Sequence, residues 1–99
     1  MRAKVIWLRQ ARRDLVEIID YISADNPSAA DRYRLGVISA CRKLVDFPLS
    51  GRRYYDRFRT ITYRNHLVFY EVASDPTTVT IVMIIDSRRD VESIVPPLI

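Results

Sequence analysis

Ala11-Arg12-Arg13-Asp14-Leu15-Val16-Glu17-Ile18-Ile19-Asp20-Tyr21-Ile22, followed by Asn26-Pro27 and the pair Ala29-Ala30, decides the fold of this chain. Ala11, Leu15, Ile18, Ile19 and Ile22 recur at helical spacing and make one apolar face. Asp14, Glu17 and Asp20 are expected on the wet side or near the N-terminal half of the helix, where its dipole favours negative charge. Pro27 suits the first position of a second helix, with Asn26 as its N-cap. The reading predicts a helix over 9–24 and a second over 27–45, with Ala30, Tyr33, Val37, Cys41 and Leu44 on the buried stripe. So short a connection folds the two into a helical hairpin.

Outward from the hairpin, Lys4-Val5-Ile6-Trp7-Leu8 reads as a short strand of β-branched and aromatic residues. Phe47-Pro48-Leu49-Ser50-Gly51 ends the second helix, and the stretch 52–57 shows no regular period and reads as a loop. Three strands follow at hairpin spacing, over 58–63, 66–73 and 78–85, separated by Arg64-Asn65 and by Ser74-Asp75-Pro76-Thr77. The residues after Asp86 read as a short helical turn stopped by Pro96 and Pro97. The expected fold is a single α+β domain over 1–99. Its helical hairpin packs on a C-terminal antiparallel sheet, with the N-terminal strand at the side.

The last strand is almost continuously apolar, and the middle strand has apolar residues on both faces. A strand of that kind is covered on both sides. The hairpin covers one face, so the other is expected to present an apolar patch to a partner.

Composition narrows the classes of function. Fourteen arginines against two lysines give a formal net charge of +4. Such a surface suits an acidic partner, whether protein or nucleic acid, and arginine favours bidentate contacts. A single cysteine, Cys41, excludes an internal disulfide and is read as a packing residue. No apolar run approaches a membrane span, and neither a Cys-based metal cluster nor a Gly-rich phosphate loop stands out, so no cofactor, metal or membrane partner is expected. The expected compartment is the cytoplasm.

The Ala-x-x-Asp-Leu opening of the first helix with its Ile-Tyr-Ile and Pro–Ala-Ala sequel, Pro48 with Gly51-Arg52, Arg59, and His66-Leu67-Val68-Phe69-Tyr70 fall in an order similar to the ParE side of the ParE/RelE toxin superfamily. The resemblance runs from Val5 to Asp90. It implies the toxin of a type II toxin–antitoxin pair that traps DNA gyrase by binding, held in a hetero-oligomer by a ParD-like antitoxin. On this reading Arg59, Arg88 and Arg89 contact the target. Leu67, Phe69, Val82 and Ile84 with Arg52, Arg53 and Arg57 meet the antitoxin.

RelE-type members instead cut messenger RNA on the ribosome without a metal, through basic residues on the middle strands. Here Leu67 occupies the position of their key middle-strand arginine, Phe58 and Thr60 the lysine positions, and Asp86 the place where a histidine often follows the last strand. The alternatives left open are a nuclease with a displaced set, Arg59, His66 and Arg88, and an inactive relative serving as a binding module.

Overall fold

The structure is a computed structural model, and it describes residues 2–54 and 57–88. The elements run β1 (Lys4–Trp7), α1 (Arg9–Ser23), α2 (Pro27–Arg42), a single 3-10 turn (Lys43–Val45), β2 (Arg52–Tyr54), β3 (Phe58–Tyr63), β4 (His66–Val72) and β5 (Thr78–Asp86). The strands form one sheet in the order β1-β5-β4-β3-β2. β1 lies parallel to β5, and every other pairing is antiparallel.

The helices form where the apolar period places them. The Asn26 side chain accepts the Ala29 N–H at 3.1 Å, which makes it the N-cap of α2. Ala11 is fully buried, Leu15, Ile18, Ile19 and Ile22 pack against the core, and the α2 stripe Ala30, Tyr33, Val37, Cys41 and Leu44 is buried. Burial pushes the Cys41 thiol up to about 12, which suits a packing residue rather than a nucleophile. Gly36 lies where α2 meets the sheet: a Cβ there would fall 1.7 Å from the Tyr63 hydroxyl.

Three sequence expectations need correction, and Asp14 has a partner that the sequence does not announce. The stretch 52–57 is not wholly a loop, because Arg52–Tyr54 forms an edge strand paired with Thr60, Arg59 and Phe58. Asp14 lies in the N-terminal half of α1 and is half-buried. β5 runs on past the end of β1, and the Asp14 carboxylate accepts the Ile84 N–H at 2.9 Å there. The alternation of β5 also breaks. Phe69 pairs with Met83 while Tyr70 pairs with Ile81, so Val82 is an extra residue in a β-bulge. That slip turns Ile84 towards the helices, where it is buried beside Val68, and away from Val82. The second face of the sheet is not bare at its centre either. Phe58, Phe69 and Ile85 are buried there, with Tyr54, Leu67, Val82 and Met83 packed around them. The helical turn read after Asp86 lies beyond residue 88, outside the described residues.

Candidate functional site

β4 and β5 bring His66 and Asp86 into register, and the β3–β4 connection places Arg64 and Asn65 beside them. The exit of β5 is tied to that turn, since Ser87 donates its N–H at 2.8 Å and its hydroxyl at 3.0 Å to the Asn65 carbonyl. Arg88 folds back on Asp86, with Nε 3.0 Å from Oδ1 and Nη2 2.6 Å from Oδ2. This bidentate pair holds the Asp86 carboxyl below the usual carboxylate range, its hydrogen bonds to Arg88 being the main cause.

Around these residues opens a groove of about 960 Å³ between α1, the start of α2 and the end of β5. One end is basic, through Arg64 and Arg88; the α1 wall is acidic, through Asp14 and Glu17, with Tyr21 beside them. Tyr33 and His66 both line it, edge to face with their rings 5.3 Å apart. The Tyr33 hydroxyl and His66 Nδ1 are buried and have no hydrogen-bond partner among the described residues. A buried polar group without a partner forfeits its hydration, and such groups cluster where a ligand or partner completes them. Arg64 adds a third departure from the ordinary, with φ of 54° in the left-handed region that a side chain with a Cβ seldom adopts.

Burial holds the His66 imidazole below its ordinary value; Asp86 pulls it up, and Arg88 presses it further down. The ring is therefore neutral at pH 7, and the unfolded chain takes up this proton before the folded one. His66 is expected to contribute fully to stability above an ordinary histidine value of about 6.5, and to lose that contribution as the pH falls from there to the folded midpoint. An NMR titration of the imidazole checks the sign; a folded midpoint above the ordinary value would contradict it. Tyr33 is raised above the usual phenol range by burial first and by its neighbours Tyr63 and Cys41 next, so it stays protonated.

Arg59 is elsewhere. It pairs with Tyr70 in register, four residues along β3 from Tyr63, or about 13 Å at ~3.3 Å per residue, and so at the opposite end of the sheet. Its Nη1 donates to the carbonyls of Leu49, at 3.1 Å, and Gly51, at 2.9 Å. Arg59 and Arg88, both expected to contact the target, therefore lie at opposite ends of the sheet. Of the displaced catalytic set, only His66 and Arg88 meet. Arg89 lies outside the described residues. Leu49, Arg53, Arg57 and Arg59 line a smaller hollow of about 330 Å³, in which Arg57 pairs loosely with Glu71 at 3.4 Å. Of the residues expected to meet an antitoxin, Phe69 is fully buried, and Ile84 is buried but lines the groove; Arg52, Arg53 and Arg57 are exposed, and Leu67 and Val82 are half-buried. Sequence reasoning missed Tyr33, whose signal was a tyrosine on a stripe that a phenylalanine would fill as well. It also missed Arg64, which the sequence marks only as part of a turn.

Among the described residues no group of histidine, cysteine and carboxylate side chains has the geometry of a metal site. No helix of the described chain is long and apolar enough to cross a membrane.

The sequence model of the family described as "ParE toxin of type II toxin-antitoxin system, parDE" matches residues 5–91. Toxin RelE2 of Caulobacter vibrioides is 40% identical over 50 residues, 50% of this chain and 57% of its own length, so the chain matches only just over half of that relative. A chain of the chromosomal ParDE toxin–antitoxin system of P. aeruginosa shares the fold, with a TM-score of 0.71 at 21% identity, over 84% of this chain and 94% of that one. A chain of the toxin–antitoxin complex RelBE2 of Mycobacterium tuberculosis does so with a TM-score of 0.56 at 20% identity, over 85% and 96%.

Proposed function

The chain belongs to the ParE toxin family of type II toxin–antitoxin systems, and from that premise we propose that it arrests growth by binding a protein target, DNA gyrase, rather than by cutting RNA. The single observation that carries this reading is the position of Arg59. Metal-free RNA cleavage needs a base for the 2′-hydroxyl, an acid for the leaving oxygen and a cation on the phosphate, all within reach of one another. Arg59 is at the far end of the sheet from His66 and its guanidinium is committed to two loop carbonyls. A neutral His66 supplies a base, but its neighbours supply no acid of matching pKa: the Tyr33 phenol is raised and Arg88 is bound to Asp86. The residues that remain are suited to recognition.

The toxin acts in the cytoplasm, and its partner in the resting cell is an antitoxin. The groove with its unpartnered Tyr33 and His66 atoms, and the exposed Arg52 and Arg57, are the surfaces that support such a partner. A second reading, ribosome-dependent cleavage, is favoured only by the meeting of His66 and Arg88 at Asp86.

Expression of the toxin with supercoiling by purified gyrase and messenger-RNA integrity assayed side by side separates the two. Intact gyrase activity with codon-positioned cuts would overturn the proposal. Arg88→Ala, at an exposed side chain, is expected to weaken growth arrest while leaving thermal stability within ~0.5 kcal/mol. Undiminished arrest would move the target contact away from the β5 exit.

A further inference from the structure

The loop between the 3-10 turn and β2 carries two of the most exposed large apolar side chains of the described residues, Phe47 at 66% and Leu49 at 56%. Single exposed apolar residues are ordinary. These two differ because the backbone beneath them is fixed. The buried Tyr70 hydroxyl donates to the Pro48 carbonyl at 2.9 Å and accepts the Gly51 N–H at 2.8 Å. Arg59 holds the Leu49 and Gly51 carbonyls, Ser50 N–H donates to Phe47 O, and Phe47 N–H donates to Lys43 O. A segment braced from both sides thus projects an aromatic and an aliphatic side chain into water.

The surroundings are basic. Leu49 and Arg53 share the smaller hollow, where Arg59 serves the loop and Arg57 faces Glu71. The Arg53 side chain is exposed and has no hydrogen-bond or ion-pair partner among the described residues. Aromatic and apolar anchors beside an uncommitted arginine are the composition of an interface hot spot, and a rigid loop reduces the ordering cost of binding.

We propose that Phe47, Leu49 and Arg53 anchor the toxin to the protein it inhibits, and that the facing surface is an apolar pocket edged by a carboxylate. This rests on the reading of the chain as a toxin that acts by binding. A nucleic acid fits less well, because Leu49 has no face for a base to stack on and Glu71 stands beside Arg57.

The test compares wild type with Phe47→Ser/Leu49→Ser, with Arg53→Glu and with the control Leu35→Ser, which alters an equally exposed leucine (59%) on α2. Growth arrest on induction, inhibition of purified gyrase and thermal unfolding are read for each. The double variant and Arg53→Glu are expected to need at least about tenfold more toxin for the same gyrase inhibition and to relieve arrest. They should still unfold as wild type does, and Leu35→Ser should change nothing. A folded double variant that arrests growth and inhibits gyrase like wild type overturns the proposal. If wild type arrests growth without inhibiting gyrase, the gyrase reading fails and the loop is judged on arrest: relief by the variants upholds it, and unchanged arrest overturns it. Cleavage of messenger RNA by wild type, or no arrest at all, overturns both.

Discussion

Gly51→Ala is expected to cost the domain about 3 kcal/mol, combining forced overpacking of ~1–3 kcal/mol with weakened hydrogen bonds of ~1 kcal/mol each. The cause is a close approach, not backbone conformation. A Cβ at Gly51 would lie 2.3 Å from the Tyr70 hydroxyl, 2.6 Å from Cε1 and 2.8 Å from Cζ, and Tyr70 is fully buried with no room to swing away. Moving the ring breaks its bonds to Pro48 O and Gly51 N–H together. For a domain of this size the loss corresponds to a fall of roughly 12–24 °C in Tm, readable by circular dichroism. Tyr70→Phe removes the nearest clashing atom, so the double mutant should cost less than the sum of the singles in a denaturant cycle. A Gly51→Ala protein as stable as wild type would mean that the loop is not braced from beneath, and the case for a preformed Phe47–Leu49 projection would fall with it.

Leu15→Asp and Val16→Asp should part company sharply, although the positions are adjacent. Leu15 packs against the core between helix and sheet, and removing a packed leucine costs about 2–5 kcal/mol before the carboxylate's desolvation is added. Leu15 is half-buried, which lets the new carboxylate reach some water, so about 3 kcal/mol is expected in total. Val16 is 55% exposed, and a charge there should shift stability by no more than ~0.5 kcal/mol. Equal losses at the two positions, measured by urea unfolding, would show that the phase of α1 is wrong.

That phase was legible because period 3.6 is a local property: Ala11, Leu15, Ile18, Ile19 and Ile22 carry it without help from the rest of the chain. β2 was not legible. Arg52-Arg53-Tyr54 has no alternation of its own and is a strand because β3 offers it Thr60, Arg59 and Phe58. The bulge at Val82 was hidden for the same reason, since register is a relation between two strands, and one extra residue redirected Ile84. The candidate site was half legible. His66 and Arg88 drew notice as residue types, but the register that joins them and leaves Arg59 behind is tertiary. A tyrosine on an apolar stripe announces its ring and not the unpartnered hydroxyl that Tyr33 turns on the groove.

The bond from Asp14 to Ile84 joins residues seventy positions apart and does the work of a missing neighbour. Where β1 stops, the margin of β5 would offer bare amide to any extended chain, which is how sheets grow from molecule to molecule. A carboxylate from the helix answers that amide with an acceptor that leads nowhere. At Ile84 the margin of the sheet is thus met by a side chain instead of a strand. Any polypeptide that lengthened it there would first have to evict Asp14 and leave an acidic group to find water, so this margin resists fibre-like stacking while the groove beside it stays open.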